Sequence, residues 1–459
     1  MIDALFLRIL SGAPRLGFAA WLFAIAMTAR AEDGQGDAAA PVSQPWAVHG
    51  QATFIDQGNL SFKAPYTGPN SLPPVAEGRE TFDLTLFVGA RPWQGAEIWA
   101  NPEVDQGFGL HDTLGAAGFP SGEAYKVGAA DPYVRLQRLF LRQTVDLGGD
   151  RAAVDADQNQ LAGSQSANRL VVTIGKFNVT DVFDTNGLAH DPRRDFLNWA
   201  LIDAGTFDYA ADAWGYTVGG SVEWYQGDWV TRFGLFALSD VPNSPHLDSG
   251  FGQFQMVGEI ERDFRLAGEA GVLKLTGFLS RGRMATFADA IALGARTGEP
   301  PNVALVRQYR GRGGLSFDLQ QQLSASLALF ARGGFAGGDT EPYEFTDIDR
   351  TISAGLSLNG KGWGRASDAV AIGGVVNGIS SVHERYLAAG GLGILVGDGR
   401  LPHPASENIM ETYYDIGLGR VARVASAHLT IDYQLIGNPA YNADRGPVSI
   451  FAARLHAQF

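Results

Sequence analysis

Glu97, Trp99 and Asn101 stand two residues apart and place a carboxylate, an indole and an amide on one face of a short alternating segment. Further along, Arg138 and Arg142 lie four apart, in parity inverse to the apolar Leu139 and Leu141. In an extended strand, residues at i, i+2 and i+4 share a face. Each set therefore points one way. Together they supply directional donors, directional acceptors and an aromatic surface, which is the chemistry for exchanging water's hydrogen bonds to hydroxyl groups for protein ones. Arg91 and Glu223 hold the same polar parity in their own segments. A second candidate set lies in one long gap, residues 176–213, dense in charge and amide: Lys176, Asp184, Asn186, Arg193 and Trp199. The competing readings are that the Arg and Glu sets only neutralise one another on a solvated wall, and that the long gap is a structural loop.

The elements that must position these groups are strands. Sixteen short segments alternate apolar and polar residues, and the gaps between them alternate long and short. Phe82, Leu84, Leu86, Val88 and Ala90 oppose Thr81, Asp83, Thr85 and Arg91, while Leu170, Val172 and Ile174 oppose Arg169 and Thr173. The parity also places Trp214 and Tyr216 outward with Val218, Val222 and Trp224. Long gaps fall near 55–80, 102–134, 176–213, 239–253, 282–313, 333–350, 378–407 and 437–446. Tight turns such as Pro92-Trp93-Gln94-Gly95 and Gln226-Gly227-Asp228 close the other side, where one connection, Gly148 to Asn168, is extended and polar. Residues 380–390 read as a short helix.

This double rhythm predicts an all-β fold, a 16-stranded antiparallel transmembrane β-barrel with long extracellular loops and short periplasmic turns. Aromatics at strand ends (Trp46, Phe54, Trp214, Trp224, Trp229, Tyr433 and Phe459) read as an interfacial girdle. Charged residues at mid-strand argue against a soluble β-sandwich, whose packed core does not tolerate them unpaired.

Composition agrees. The chain has 59 glycines among 459 residues, 11% aromatics, only 18% charged residues and no cysteine. The N-terminus carries Arg8 and Arg15, an apolar run from Leu16 to Met27, and Ala29-Arg30-Ala31. It reads as a cleaved secretory signal peptide over 1–31, because the run is short of the roughly 20 residues a spanning helix needs. A flexible segment over 32–45 and a barrel over 46–459 follow. The formal charge of −14 becomes −16 without residues 1–31, which hold three Arg and one Asp. That acidity argues against nucleic acid as a partner.

The segment Thr85-Leu86-Phe87-Val88-Gly89-Ala90-Arg91-Pro92-Trp93, followed by Asn101-Pro102-Glu103 and Gln106-Gly107-Phe108-Gly109-Leu110, resembles the carbohydrate-selective porins (OprB-like) of Gram-negative bacteria. So do Gly122-Glu123-Ala124-Tyr125-Lys126, Asp184-Thr185-Asn186, Asp191-Pro192-Arg193, Phe196-Leu197-Asn198-Trp199 and Gly397-Asp398-Gly399-Arg400-Leu401-Pro402-His403-Pro404. The resemblance implies a narrow polar constriction passing monosaccharides or small oligosaccharides, and Glu103 joins the candidate sugar contacts. A general or ion-selective porin of the same architecture is the alternative. Expected partners are small sugars, outer-membrane lipid and lipopolysaccharide, and the barrel-assembly machinery, for which the terminal Phe459 resembles the signal. The barrel is expected as a monomer or a homotrimer.

No enzyme, metal or cofactor site is expected. Gly390-Gly391-Leu392-Gly393 lacks the strand–helix context of a dinucleotide site, no G-x-S-x-G elbow is present, and the histidines stand singly. His428 and His456 read as ordinary lumen residues. Asp339, Glu341, Asp347 and Asp349 read as a solvated loop.

Overall fold

The computed structural model describes residues 43–421 and 425–459. Sixteen antiparallel strands close into one barrel, with β1 (Trp46–Asn59) pairing β16 (Val448–Gln458). Alternation explains the closure: Trp46, Val48, Ile98, Leu139 and Ile174 are exposed on the outside, while Gln51, Thr53, Asp83 and Thr85 are buried inside. Each strand pairs on both sides, so the described residues leave no backbone edge for lipid, which cannot satisfy one. The expected signal peptide over 1–31, and the segment read as flexible as far as residue 42, lie outside the described residues. Residues 43–45 are tied down, since the Gln44 N–H donates to the Ala162 carbonyl at 3.0 Å.

Strands run further than the alternation alone suggests. β2 spans Glu77–Ala90, β3 Ala96–Gly107, β4 Ala129–Val154, β5 Gly163–Phe177, and β6 Thr217–Gln226. Loop 2 is thereby 108–128 and loop 3 is 178–216. The connection expected as an extended polar turn is instead the continuation of β4 and β5 as a hairpin. Residues 381–388 are helical, capped by Ser380, whose side chain accepts from the His383 N–H.

Two departures from simple parity matter. Between β3 and β4, Asn101 faces Arg138 but Pro102 faces Leu136, so Gln137 is an extra residue. A proline cannot donate to the ladder, and the bulge sits beside it. Gln137 and Arg138 both turn inward as a result, and upstream of the bulge it is Val134 and Leu136 that face out. The second departure concerns Trp214 and Tyr216, which are not in the outward row. Gly215, at φ +90, breaks the extended run. Tyr216 is buried inside, and Trp214 stacks on Arg135 at 3.4 Å and donates to the Tyr133 hydroxyl at 2.8 Å.

Loop 3 folds into the lumen and gives the barrel an internal core. Phe196 packs on Phe330 and Tyr413 with ring centres 5.6 and 5.1 Å apart, and Trp199 stacks on Phe119 at 5.4 Å. Glu341, Asp347 and Asp349, read above as solvated, are buried: Glu341 pairs with Arg307 at 2.8 Å, and Asp349 with Arg312 at 3.2 Å. The remaining carboxylate, Asp347, accepts the Leu395 N–H at 2.6 Å.

Candidate functional site: a lumenal slot

With loop 3 packed against the far wall, a slot of about 480 Å³ lies in the lumen between β1–β6 and loops 2 and 3. Arg138 is its best-defined wall group. Its Nε and Nη2 donate to the two oxygens of Asp181 at 2.8 and 2.6 Å, and its guanidinium lies 4.9 Å over the Tyr216 ring. That bidentate fork fixes the planar head while leaving N–H groups to offer a solute. Asp181 is itself held by the first turn of loop 3, where it accepts the Asn178 N–H at 3.0 Å.

Arg193 comes to the same slot from loop 3. It lies 3.1 Å from Asp83, 3.5 Å from Glu103 and 3.2 Å from Glu123, so one cation serves three nearly buried carboxylates. Glu103 also accepts from the Thr85 hydroxyl at 2.5 Å. Burial pushes the Glu123 carboxyl well above its usual range, with Arg193 opposing. Lys126, lining the slot from loop 2, donates to the Glu344 carbonyl at 3.0 Å. Burial brings its ammonium down to about 8 and the Glu344 carboxyl up to about 8.

The register of β3 and β4 brings the two strand sets together, with Glu97 opposite Arg142 and Asn101, not Trp99, opposite Arg138. Glu97 accepts from Arg142 at 2.6 Å, Arg91 at 3.2 Å and Trp99 Nε1 at 3.0 Å. Arg142 lines the slot, whereas Arg91 and Glu97 line a separate cavity at the short-turn rim. Trp99 points inward as parity demands but is fully buried, so its ring offers no free face. Asn101 is likewise fully buried.

Of the loop candidates, Arg193 and Trp199 border the slot. Lys176 pairs with Asp212 at 3.3 Å. Asp184 and Asn186 sit in a closed network: Asp184 N–H donates to Glu259 at 2.8 Å, and Asn186 donates to Asp318 at 2.9 Å. Glu223 borders the slot and accepts from Arg232 at 3.0 Å. Sequence reasoning passed over Asp181, Tyr216, Glu123 and Lys126. Glu123 and Lys126 lie in a motif already noticed, Gly122 to Lys126, and only their contact role went unread.

The lining carries both signs. Lys126, Arg138, Arg142 and Arg193 share it with Glu103, Glu123, Asp181, Asp191, Asp203 and Glu223. Aromatic faces of Tyr216, Trp199, Tyr209 and Phe119 lie among them. The family model described as carbohydrate-selective porin, OprB family, matches residues 70–459. The chain belongs to this family. It is a porin of the Gram-negative outer membrane and a channel, not an enzyme. The high-pH structure of Pseudomonas putida OprB shares the fold, with a TM-score of 0.65 at 17% identity over 90% of this chain and 94% of that one. The low-pH structure of the same Pseudomonas putida protein gives 0.48 at 13% identity, covering 90% and 93%. The outer membrane channel DcaP of Acinetobacter baumannii gives 0.48 at 10%, covering 93% and 100%. No match to a curated protein sequence is found.

Proposed function

We propose that this porin passes monosaccharides and small oligosaccharides by passive diffusion through the slot beside β4. The supporting observation is the lining itself: Arg138, fixed by Asp181 over Tyr216, shares one cavity with Arg193 and its carboxylates. A neutral polyol meets donors, acceptors and aromatic side chains in one cavity. Transit needs that balance, because a solute bound too well does not leave. The volume falls in the range of about 300–1,000 Å³ that accommodates small ligands. An ion-selective channel calls for a ladder of one sign, and here both signs line the slot. Candidate sugar contacts, in this reading, are Arg138, Arg142, Arg193, Glu103 and Glu223, while the buried ring of Trp199, packed on Phe119, Tyr209 and Phe345, shapes the wall. Arg91 and Glu97 serve the exit, and Trp99, Asn101, Asp184 and Asn186 hold the wall and loop in place.

Liposome swelling with sugars of increasing size tests this. Monosaccharides should enter fast and longer chains progressively slower, with uncharged sugars outpacing sugar acids of equal size. Equal rates for neutral and anionic solutes, or faster entry of the acids, would contradict it.

A further inference from the structure

Two obstructions lie in this barrel, and they are held differently. Loop 3 enters from the long-loop side. Arg332, fully buried, donates to the carbonyls of Ala189 and Leu201 at 2.7 and 2.8 Å. Arg454 donates to those of Pro192, Asp195 and Arg194 at 2.7 to 2.8 Å. Charge-assisted bonds in a closed interior are the strong ones. Loop 3 is fixed filling.

The second obstruction enters from the short-turn side. Past the barrel rim, β4 and β5 continue as a hairpin over 147–168. It bends at Gly148 and Gly149, which hold φ values of +94 and +89, and the ladder loses register on both sides of Gly148. Only glycine takes that backbone readily. The tip then reaches back into the lumen. Gln158 Nε2 donates to Gln51 Oε1 at 2.7 Å, and the Asn159 carbonyl accepts from Arg142. The returning arm is clipped to the chain ahead of β1, with the Ala162 N–H donating to Gln44 Oε1 at 3.1 Å. The Ala162 carbonyl accepts in turn from the Gln44 N–H at 3.0 Å and from Arg91 Nη1 at 3.4 Å. Apart from the buried Leu161, the tip and returning arm are thus held by polar contacts, each of small net worth. Segments held this way open most easily.

The slot described above is lined at its lower end by Arg142, Gln158, Asn159 and Gln160. A second cavity of about 590 Å³ lies at the short-turn rim, between the turn at Gln94–Gly95 and the hairpin, lined by Arg91, Glu97, Gln143, Arg151 and Leu161. The hairpin tip and the Arg142–Glu97–Arg91 string stand between the two. The geometry points to the hairpin as a hinged gate on the periplasmic exit. Swinging at Gly148–Gly149, the tip leaves Gln51 and Arg142 and joins the two cavities. Glu97 keeps both arginines in either state, so opening strands no buried charge. This inference concerns which obstruction moves and does not rest on sugar selectivity, since ion current alone reports it.

The test uses the whole barrel in planar bilayers with KCl only. In one variant Asn-Gly replaces residues 152–165, a two-residue turn between the paired Arg151 and Ser166. In the second, Gln51→Cys and Gln158→Cys are bridged by a short bis-maleimide. The chain has no native cysteine, and glutamines that meet end to end stand too far apart for a direct disulfide. The same protein capped with N-ethylmaleimide is the control. The parent should show open–closed current steps, and a parent that conducts without them would overturn the inference. The shortened hairpin should raise conductance about twofold and abolish those steps. Bridging should lower the current and remove the steps. A shortened hairpin that conducts like the parent would overturn the inference. So would a bridged protein with the current of its capped control, because the hairpin would then be a fixed part of the exit.

Discussion

Arg138→Ala should weaken sugar block and raise cation preference together, whereas Arg138→Lys should do only the first. Alanine removes the Nε and Nη2 donors held by Asp181 at 2.8 and 2.6 Å, and the Nη1 that reaches the Tyr216 hydroxyl at 3.4 Å. A hydrogen bond to a charged group contributes about 1.5–3 kcal/mol. Here the side chain of Asp181 is 31% exposed and already takes three N–H groups, so water competes and a sugar hydroxyl gains less. We take about 1 kcal/mol, which is roughly fivefold in sugar affinity. Lysine keeps the charge but loses the planar fork, so it should show the same weakening without the ionic effect. Sugar block of single-channel current in symmetric KCl measures the first quantity, and the reversal potential in a KCl gradient measures the second. The reasoning fails if the alanine variant is blocked like the parent, or if lysine shifts the reversal potential as far as alanine does.

Trp99→Ala should cost about 3–5 kcal/mol of barrel stability by emptying a fully buried indole site; thermal unfolding in detergent checks this, and sugar block should hold near the parent value. Cation preference should rise between pH 7 and 9, since Lys126 loses its proton near 8 while Glu344 gains charge near 8. Both changes make the loop 2 side of the slot more negative, and Lys126→Met should flatten the reversal potential against pH. Phe459→Asp should cut outer-membrane levels, measured by fractionation and blotting, because the ring lies on the outer face directly over Gly50, where a side chain would collide with it. Gly50→Val should share that defect without altering the conductance of molecules that do insert. Arg332→Met should loosen loop 3, seen as a lower melting temperature and noisier current, because three carbonyls lose their buried donor.

The strand count, the loop rhythm and the inward face of Glu97 and Arg142 were legible because lipid on one side and water on the other impose a strict period of two. Where the period breaks, the reading slipped. The bulge at Pro102 carried a signal, the missing N–H, that marks where a ladder yields. Trp214 and Tyr216 kept the outward parity by coincidence across Gly215, whose left-handed φ turned them inward. Trp99 was assigned the correct face but not its burial, since which inward groups are covered depends on what packs over them inside the barrel. The same limit applies to Asp184 and Asn186: their loop was picked out by its charge, yet their partners Glu259 and Asp318 come from strands far along the chain. The inward hairpin tip was missed because a polar turn in sequence looks alike whether it meets bulk water or a lumen.

The central claim is that the slot favours neutral polyols over ions of either sign. Single-channel recording of the unaltered barrel, with a hexose titrated into symmetric KCl and the reversal potential read in a KCl gradient, tests it most directly. The account predicts saturable block by the hexose and a reversal potential close to zero. Current untouched by hexose, with a reversal potential near that of an ideally cation- or anion-selective pore, would contradict it.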